Sequence, residues 1–259
     1  MVNYHGHTKR CHHAIGEDEE YVLKAIEGGF DTMGFSDHVM LPYFKGDDGV
    51  RGSYAERKDY FKSVRKLQKK YADKIEILLG FECEWDPSFY KYYKKLLDTK
   101  TCDYLIFGNH FQQMENHHFV SHYDSVDEYL LTYDIYTKQA LSSHLFKIMA
   151  HPDFFMYRVK SWNNMCERIT KDIIKYAIDN DVALELNGGP IFTHNTHVVD
   201  GEVVYIYPYR KFWEIVSKYD VKVVIGLDAH NPDAYTSNVH KTLENFAKEL
   251  NIKVIDRLF

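Results

Sequence analysis

Short apolar runs alternate along the chain with segments whose apolar positions recur at helical spacing. Val2-Asn3-Tyr4 opens as a strand. The next segment places Val22, Ala25 and Ile26 on one helical face, with Glu17, Asp18, Glu19 and Glu20 where the helix dipole favours negative charge and Gly28-Gly29 as the stop. Thr32 to Ser36 reads as a strand, Tyr54 to Tyr71 as a basic, exposed-faced helix, and Ile75 to Glu84 as a buried strand. Asp86-Pro87 starts another helix, since proline is tolerated in a first turn where its missing N–H has no partner to lose.

After a strand from Tyr104 to Asn109, Ser125-Val126-Asp127-Glu128 has the form of a capping box, opening a helix with Val126, Tyr129, Leu130 and Tyr133 on one face. The alternation continues through strand Lys147 to Ala150, a helix aligned on Ile169, Ile173, Tyr176 and Ala177, and strand Ala183 to Asn187. Phe212, Ile215, Val216 and Tyr219 then mark a helix, Lys222 to Gly226 a strand, and Val239, Leu243, Phe246 and Leu250 a last helix. Residues 188–207 show no period and read as a long loop over the mouth of the site, and Lys253 to Ile255 is left over.

Repeated strand–helix units with crossover helices require a parallel sheet. Seven of them, with the reactive residues at the C-terminal strand ends, predict an α/β fold of the distorted (β/α)7 barrel kind, lacking an eighth unit. Residues 1–259 are expected to form one barrel domain, because such barrels run to about 250 residues and no Pro-, Gly- or Ser-rich linker interrupts the chain.

Composition narrows the partners. The 32 Lys+Arg against 38 Asp+Glu leave a net charge of −6, which argues against a nucleic-acid footprint and makes any phosphate recognition local. Cys11, Cys83, Cys102 and Cys166 show no disulfide spacing, so a reducing, cytoplasmic setting is expected. No run of about 18 apolar residues predicts a membrane span or signal peptide. Oligomeric state leaves no trace in the sequence.

The chemistry sits at the strand ends. His5 and His7 are spaced to point the same way from one strand. His13 follows in the next loop; Asp37 and His38, Glu82 and Glu84, His110, His151, and Asp228 and His230 each close an apolar run. Imidazole nitrogen and carboxylate oxygen are the donors that Zn, Mn and Fe accept, and the absence of a C-x-x-C pair argues against a structural thiolate site. A catalytic metal site for hydrolysis is the expectation. His117, His118, His122, His144, His194, His197 and His240 lack strand-end placement and are assigned to surface or loop, with His194 nearest the mouth.

These residues give the chain a family likeness. His5-x-His7-Thr8 with Cys11-x-His13, Phe35-Ser36-Asp37-His38, Gly80-Phe81-Glu82, Asn109-His110, Ala150-His151-Pro152-Asp153 and Gly226-Leu227-Asp228-Ala229-His230 resemble the PHP (polymerase and histidinol phosphatase) superfamily, and within it the stand-alone histidinol-phosphatases. Tyr207-Pro208-Tyr209-Arg210 is similar to a Tyr-Pro-Ser-Arg run there; Tyr209 and Leu227 stand where serine is usual, and neither is of ligand type. The similarity extends over nearly the full length.

The resemblance implies a PHP-type barrel and a trinuclear centre of two to three divalent Zn, Mn or Fe ions. One ion would take His5, His7, Glu82 and Asp228; a second would share Glu82 and add His110 and His151; a third would take His13, His38 and His230. The implied reaction is hydrolysis of L-histidinol phosphate to L-histidinol and phosphate in histidine biosynthesis, through water activated between two ions. Arg158 is the first candidate for a bidentate phosphate contact and Arg210 the second. Phe44, Phe111, Phe119 and Trp162 offer stacking surfaces for an imidazole, and Glu84 or Glu185 an anion for an ammonium. Alternatives are a PHP phosphoesterase for another small phosphomonoester, a processing nuclease, an amidohydrolase-type metal hydrolase, or a metal-binding scaffold.

Overall fold

The computed structural model describes residues 1–42, 49–112, 118–119, 123–255 and 257–259. Its elements run β1 (Val2–Asn3), α1 (Asp18–Glu27), β2 (Thr32–Phe35), α2 (Arg57–Lys70), β3 (Glu76–Cys83), α3 (Tyr90–Asp98), β4 (Tyr104–Phe107) and the short hairpin β5 (Phe111–Gln112) and β6 (His118–Phe119). They continue as α4 (Val126–Leu141), β7 (Ile148–Met149), α5 (Asn164–Asp179), β8 (Ala183–Asn187), α6 (Gly189–Thr193), β9 (Thr196–Val199), β10 (Glu202–Tyr205), α7 (Arg210–Val216), β11 (Val223–Gly226) and α8 (Val239–Glu249).

The caps explain several boundaries. Glu17 and Glu20 form a reciprocal capping box on α1, and Gly28 ends it. Asn163 accepts from the amides of Met165 and Cys166 at the start of α5. Only half of the box expected at α4 is made: Ser125 accepts from the Glu128 amide. Tyr219 lies beyond the end of α7, half exposed.

Seven parallel strands in the order β1-β2-β3-β4-β7-β8-β11 form a nearly closed α/β barrel. Its two ends meet at the top, where Gly6 bridges Ala229, His7 N donates to Ala229 O at 2.9 Å and Ala229 N donates to His5 O at 3.2 Å. Asn3 adds a staple by accepting from the Leu227 amide at 2.8 Å. At the bottom, Val254 pairs with Val223 instead, so the chain's last segment occupies the place beside β11. The residues left over after the last helix thus have a structural use, holding the seam where an eighth unit is missing.

Alternation along each strand divides two apolar layers. Outward residues such as Leu79, Phe81, Leu105, Phe107, Leu184, Leu186 and Ile225 pack under the helices in the main core. Inward residues Tyr4, Tyr104, Ile106, Ile148, Ala150, Ala183 and Val224 fill the barrel's lower interior.

Residues 188–207 are not the expected structureless loop. They form α6 and the antiparallel hairpin β9–β10, paired Val199 to Glu202 and Val198 to Val203. The signal was present: Thr-His-Val-Val and Glu-Val-Val-Tyr flank Asp200-Gly201, which turn with φ of 53° and 83°. An Asp-Gly pair with both residues in the left-handed region makes the tight turn whose twist suits a hairpin.

Candidate metal centre

The inward ladder changes character toward the C-terminal strand ends. Leu78 and Gly80 on β3 are followed by Glu82 and, just past its end, Glu84; the same step brings Glu185 after Ala183 on β8, and Asp228 after Val224 and Gly226 past β11. Small residues leave the room. A side chain at Gly226 would put its Cβ 1.8 Å from Glu185 Oε1, and one at Gly108 2.3 Å from Glu82 Oε1. His151 and Asp228 leave their strands with φ of 27° and 50°. Left-handed backbone at non-glycine residues costs about 1–3 kcal/mol and persists where surrounding contacts enforce it, which is common at functional sites.

These positions bring all nine expected ligands to one end of the barrel. Two pairs of imidazoles oppose each other: His5 Nε2 lies 3.1 Å from His7 Nε2, and His110 Nε2 lies 3.0 Å from His151 Nε2. Glu82 stands between the pairs. Its Oε2 is 3.4 Å from His5 and 3.6 Å from His7, while its Oε1 is 3.5 Å from His110 and 3.2 Å from His151. Asp228 Oδ1 closes the first pair at 3.4 and 3.1 Å. His38 Nδ1 faces Glu82 Oε2 at 3.3 Å. The His13 and His230 rings flank this set, 4.4 Å apart, with His230 stacked on His7 at 4.0 Å.

The donor set fits cations. His5 Nδ1 is engaged by Glu185 at 2.9 Å and His110 Nδ1 by Glu84 at 3.4 Å, which assigns the inward Nε2 of each a lone pair. Opposed imidazole nitrogens at 3.0–3.1 Å share either a proton or a cation between them. Zn–N bonds of about 2.0–2.1 Å at a tetrahedral angle separate two nitrogens by about 3.4 Å, close to what is present. Glu82, Glu84, Glu185, Asp37 and Asp153 are all buried, with Arg51 the buried guanidinium beside them. Uncompensated buried carboxylates are costly, so the site favours added positive charge. Burial alone would raise the Glu82 carboxyl, yet His110, His5 and His38 hold it well below the ordinary range. The same opposition, burial against His5, His7 and His230, holds Asp228 well below its own.

Carboxylates behind the ligands support them, and of these only Glu185 was not expected in that role. Glu185 accepts from His5, from the His151 amide at 3.2 Å and from Asn187 at 2.7 Å, and Glu84 is paired with Arg51 at 3.1 Å. Both carboxylates thus have partners within the protein. Asp37 accepts from Thr8 and from the His38 amide and faces His7 Nδ1 at 3.7 Å, behind the cluster. Asp153 accepts from the Tyr209 amide at 2.6 Å and from Trp213 Nε1 at 3.1 Å, tying the loop after β7 to the start of α7; burial pushes its carboxyl up to about 7.

The arginines and aromatics separate. Arg158 is half-buried and donates to Tyr123 O at 2.7 Å. Arg210 is not brought to the cluster: it is exposed and paired with Glu214 at 3.0 Å and Glu249 at 2.8 Å. Within the same Tyr-Pro-Tyr-Arg run it is Tyr207 that reaches the site, its hydroxyl 3.5 Å from Asp228 Oδ2 and its ring 5.0 Å from that of His151. Trp162 stacks on Tyr209, whereas Phe154 is the aromatic against His110 and His151, at 5.3 and 5.4 Å. Phe44 and the side chains of Phe111 and Phe119 lie outside the described residues, as do those of His117, His118 and His122.

A nearly closed α/β barrel with a histidine–carboxylate nest at its C-terminal mouth defines a metallohydrolase-type protein. The sequence profile of the PHP domain matches residues 3–189, and the chain belongs to that family. It is 27% identical to the probable histidinol-phosphatase of Deinococcus radiodurans over 90% of this chain and 87% of that one. It is 24% identical to the probable histidinol-phosphatase of Schizosaccharomyces pombe over 92% and 83%. Among solved structures it superposes with a TM-score of 0.71 on the histidinol phosphate phosphatase of Lactococcus lactis in complex with Zn, L-histidinol and phosphate, at 19% identity, covering 98% of this chain and 95% of that one. Among the described residues no helix is long and apolar enough to cross a membrane, and the four cysteines are free and buried.

Proposed function

We propose that this chain is a histidinol-phosphatase, hydrolysing L-histidinol phosphate to L-histidinol and phosphate in histidine biosynthesis. The observation that carries the reading is Glu82, which turns one oxygen toward the His5–His7 pair and the other toward the His110–His151 pair. A carboxylate can serve two cations in this way, and an imidazole cannot. His5, His7, Glu82 and Asp228 would hold one ion, Glu82, His110 and His151 a second, and His13, His38 and His230 a third. Divalent cations held there supply a nucleophile from water at neutral pH and neutralise phosphate charge.

The protein's own residues do the positioning. Glu185 and Glu84 orient His5 and His110, Asp228 completes the first nest, and Phe154 and Tyr207 wall the mouth beside His151. Arg158 at the edge of this loop is the proposed guanidinium for phosphate. The relatives named histidinol-phosphatase over most of their length support the choice of substrate among small phosphomonoesters, and the free cysteines support a reducing, cytoplasmic setting. One barrel domain spanning residues 1–259, with a small-molecule partner and no nucleic acid, accords with the net charge of −6.

Phosphate release from a panel of phosphomonoesters by metal-repleted protein tests this. Histidinol phosphate should be turned over with the highest kcat/KM. Preference for another monoester would move the assignment within the family, and inactivity on the whole panel would overturn it.

A further inference from the structure

The third corner of the nest is aimed by the backbone. His13 anchors Nδ1 on Cys11 O at 2.7 Å, and His230 anchors Nδ1 on Asp228 O at 3.0 Å, each on the carbonyl two residues before it. An N–H spent on Nδ1 leaves Nε2 as the lone pair. His230 Nε2 is buried and has no hydrogen-bond partner. Cys11, at the end of the short turn Lys9–Cys11 that offers His13 its carbonyl, is fully buried. Cys11 Sγ and one ligand nitrogen each from His13 and His230 all lie within 4.8 Å of one another. Bond lengths of about 2.3 Å for Zn–S and 2.0–2.1 Å for Zn–N place sulfur and nitrogen about 3.6 Å apart around a tetrahedral ion, so closure needs only a small inward shift.

We propose that Cys11 Sγ is a thiolate ligand of the ion held by His13, His38 and His230, adding a sulfur to the third corner. The proposal rests on the metal-centre reading above and extends it, since that reading assigned Cys11 no ligand role. On binding, the S–H bond breaks, its proton leaves to solvent, and the sulfur lone pair bonds the cation, as coordinating thiols are deprotonated by the ion itself. His13 lies exposed at the rim while Cys11 is buried, so an ion enters from the mouth and meets sulfur last. A soft ligand at one corner and oxygen-bridged positions at the other two divide the site by metal preference: Zn or Co at the thiolate, with Mn tolerated at the pair sharing Glu82.

Titration of metal-stripped full-length protein with Co(II), followed by absorption, tests this apart from activity. The expected result is a near-ultraviolet thiolate-to-cobalt charge-transfer band that saturates with one equivalent. Cys11→Ser should abolish the band and weaken one of the bound ions by at least about tenfold, while Mn(II) should fill one position fewer than Co(II) in the wild type. Full cobalt uptake without the band, or a band that persists in Cys11→Ser, overturns the thiolate ligand and leaves the metal centre intact. No cobalt uptake at all defeats the metal centre and this inference with it. Should Cys11→Ser fail to fold, zinc X-ray absorption of the wild type decides: one sulfur among the zinc ligands supports the proposal, and a shell of nitrogen and oxygen alone overturns it.

Discussion

In the lower half of the barrel the inward positions are Tyr4, Tyr104, Ile106, Ile148, Ala183 and Val224; a step or two higher, the same strands or the turns leaving them carry His5, His110, His151, Glu185 and Asp228. Both halves are largely buried, yet in different ways. The bottom is an apolar plug completed by the chain's last residues, where the Phe259 ring meets Tyr4 at 5.3 Å edge-on. The top is a set of opposed nitrogens and buried carboxylates that oppose one another unless charge is added. Apolar burial is favourable by itself, whereas the polar nest is tolerated only because the apolar half and the helices over-determine it. Stability and chemistry are thus divided along the length of each strand.

Substitutions at each end should separate the two properties. Tyr104→Ala removes the large ring that fills the lower interior and whose hydroxyl donates to Tyr4 O. It should cost about 3–5 kcal/mol of folding stability by denaturant melting, with kcat per folded molecule little changed. A fall in specific activity without a fall in stability would dissolve the division. At the other end, Glu82→Gln removes the negative charge and replaces one of the two oxygens, each of which faces one histidine pair, with an amide nitrogen. Phosphatase turnover should fall at least about 100-fold, close to 2.7 kcal/mol of barrier, with two ions lost and the melting profile of metal-free protein nearly preserved. Near-normal turnover would remove Glu82 from its bridging role.

A smaller effect is expected at the arginines. Arg158→Ala should lose about 2 kcal/mol in kcat/KM with metal content unchanged, and Arg158→Lys should restore only part, because a point charge cannot make two parallel N–H bonds. Arg210→Ala should leave the kinetics unaltered, since its guanidinium is occupied by Glu214 and Glu249 on the outer surface. If the two results are exchanged, phosphate is held from the later loop.

The ladder of strands, and the histidines and carboxylates that gather at its end, were legible because period and spacing are local properties. His5 and His7, Glu82, and the Asp228–His230 pair each declare themselves within a few residues. Partnerships across the barrel were not legible. The Arg51–Glu84 and His5–Glu185 contacts join residues 33 and 180 positions apart, and no local pattern says which carboxylate will meet which cation. The Tyr207 to Arg210 run shows the same limit at short range: the motif marked the segment, but only the path of the chain into α7 decides that the tyrosine faces inward and the arginine outward. The β9–β10 hairpin is different, for its Asp200-Gly201 turn was readable and was outweighed by the lack of helical period around it.

The division between the ends rests on the upper one being a place for cations, and metal analysis of gently purified, metal-repleted protein tests that most directly. Two to three divalent transition-metal ions per folded chain are expected, falling by two in Glu82→Gln and unchanged in Arg158→Ala. A folded wild-type protein that retains no divalent ion after repletion would contradict the account.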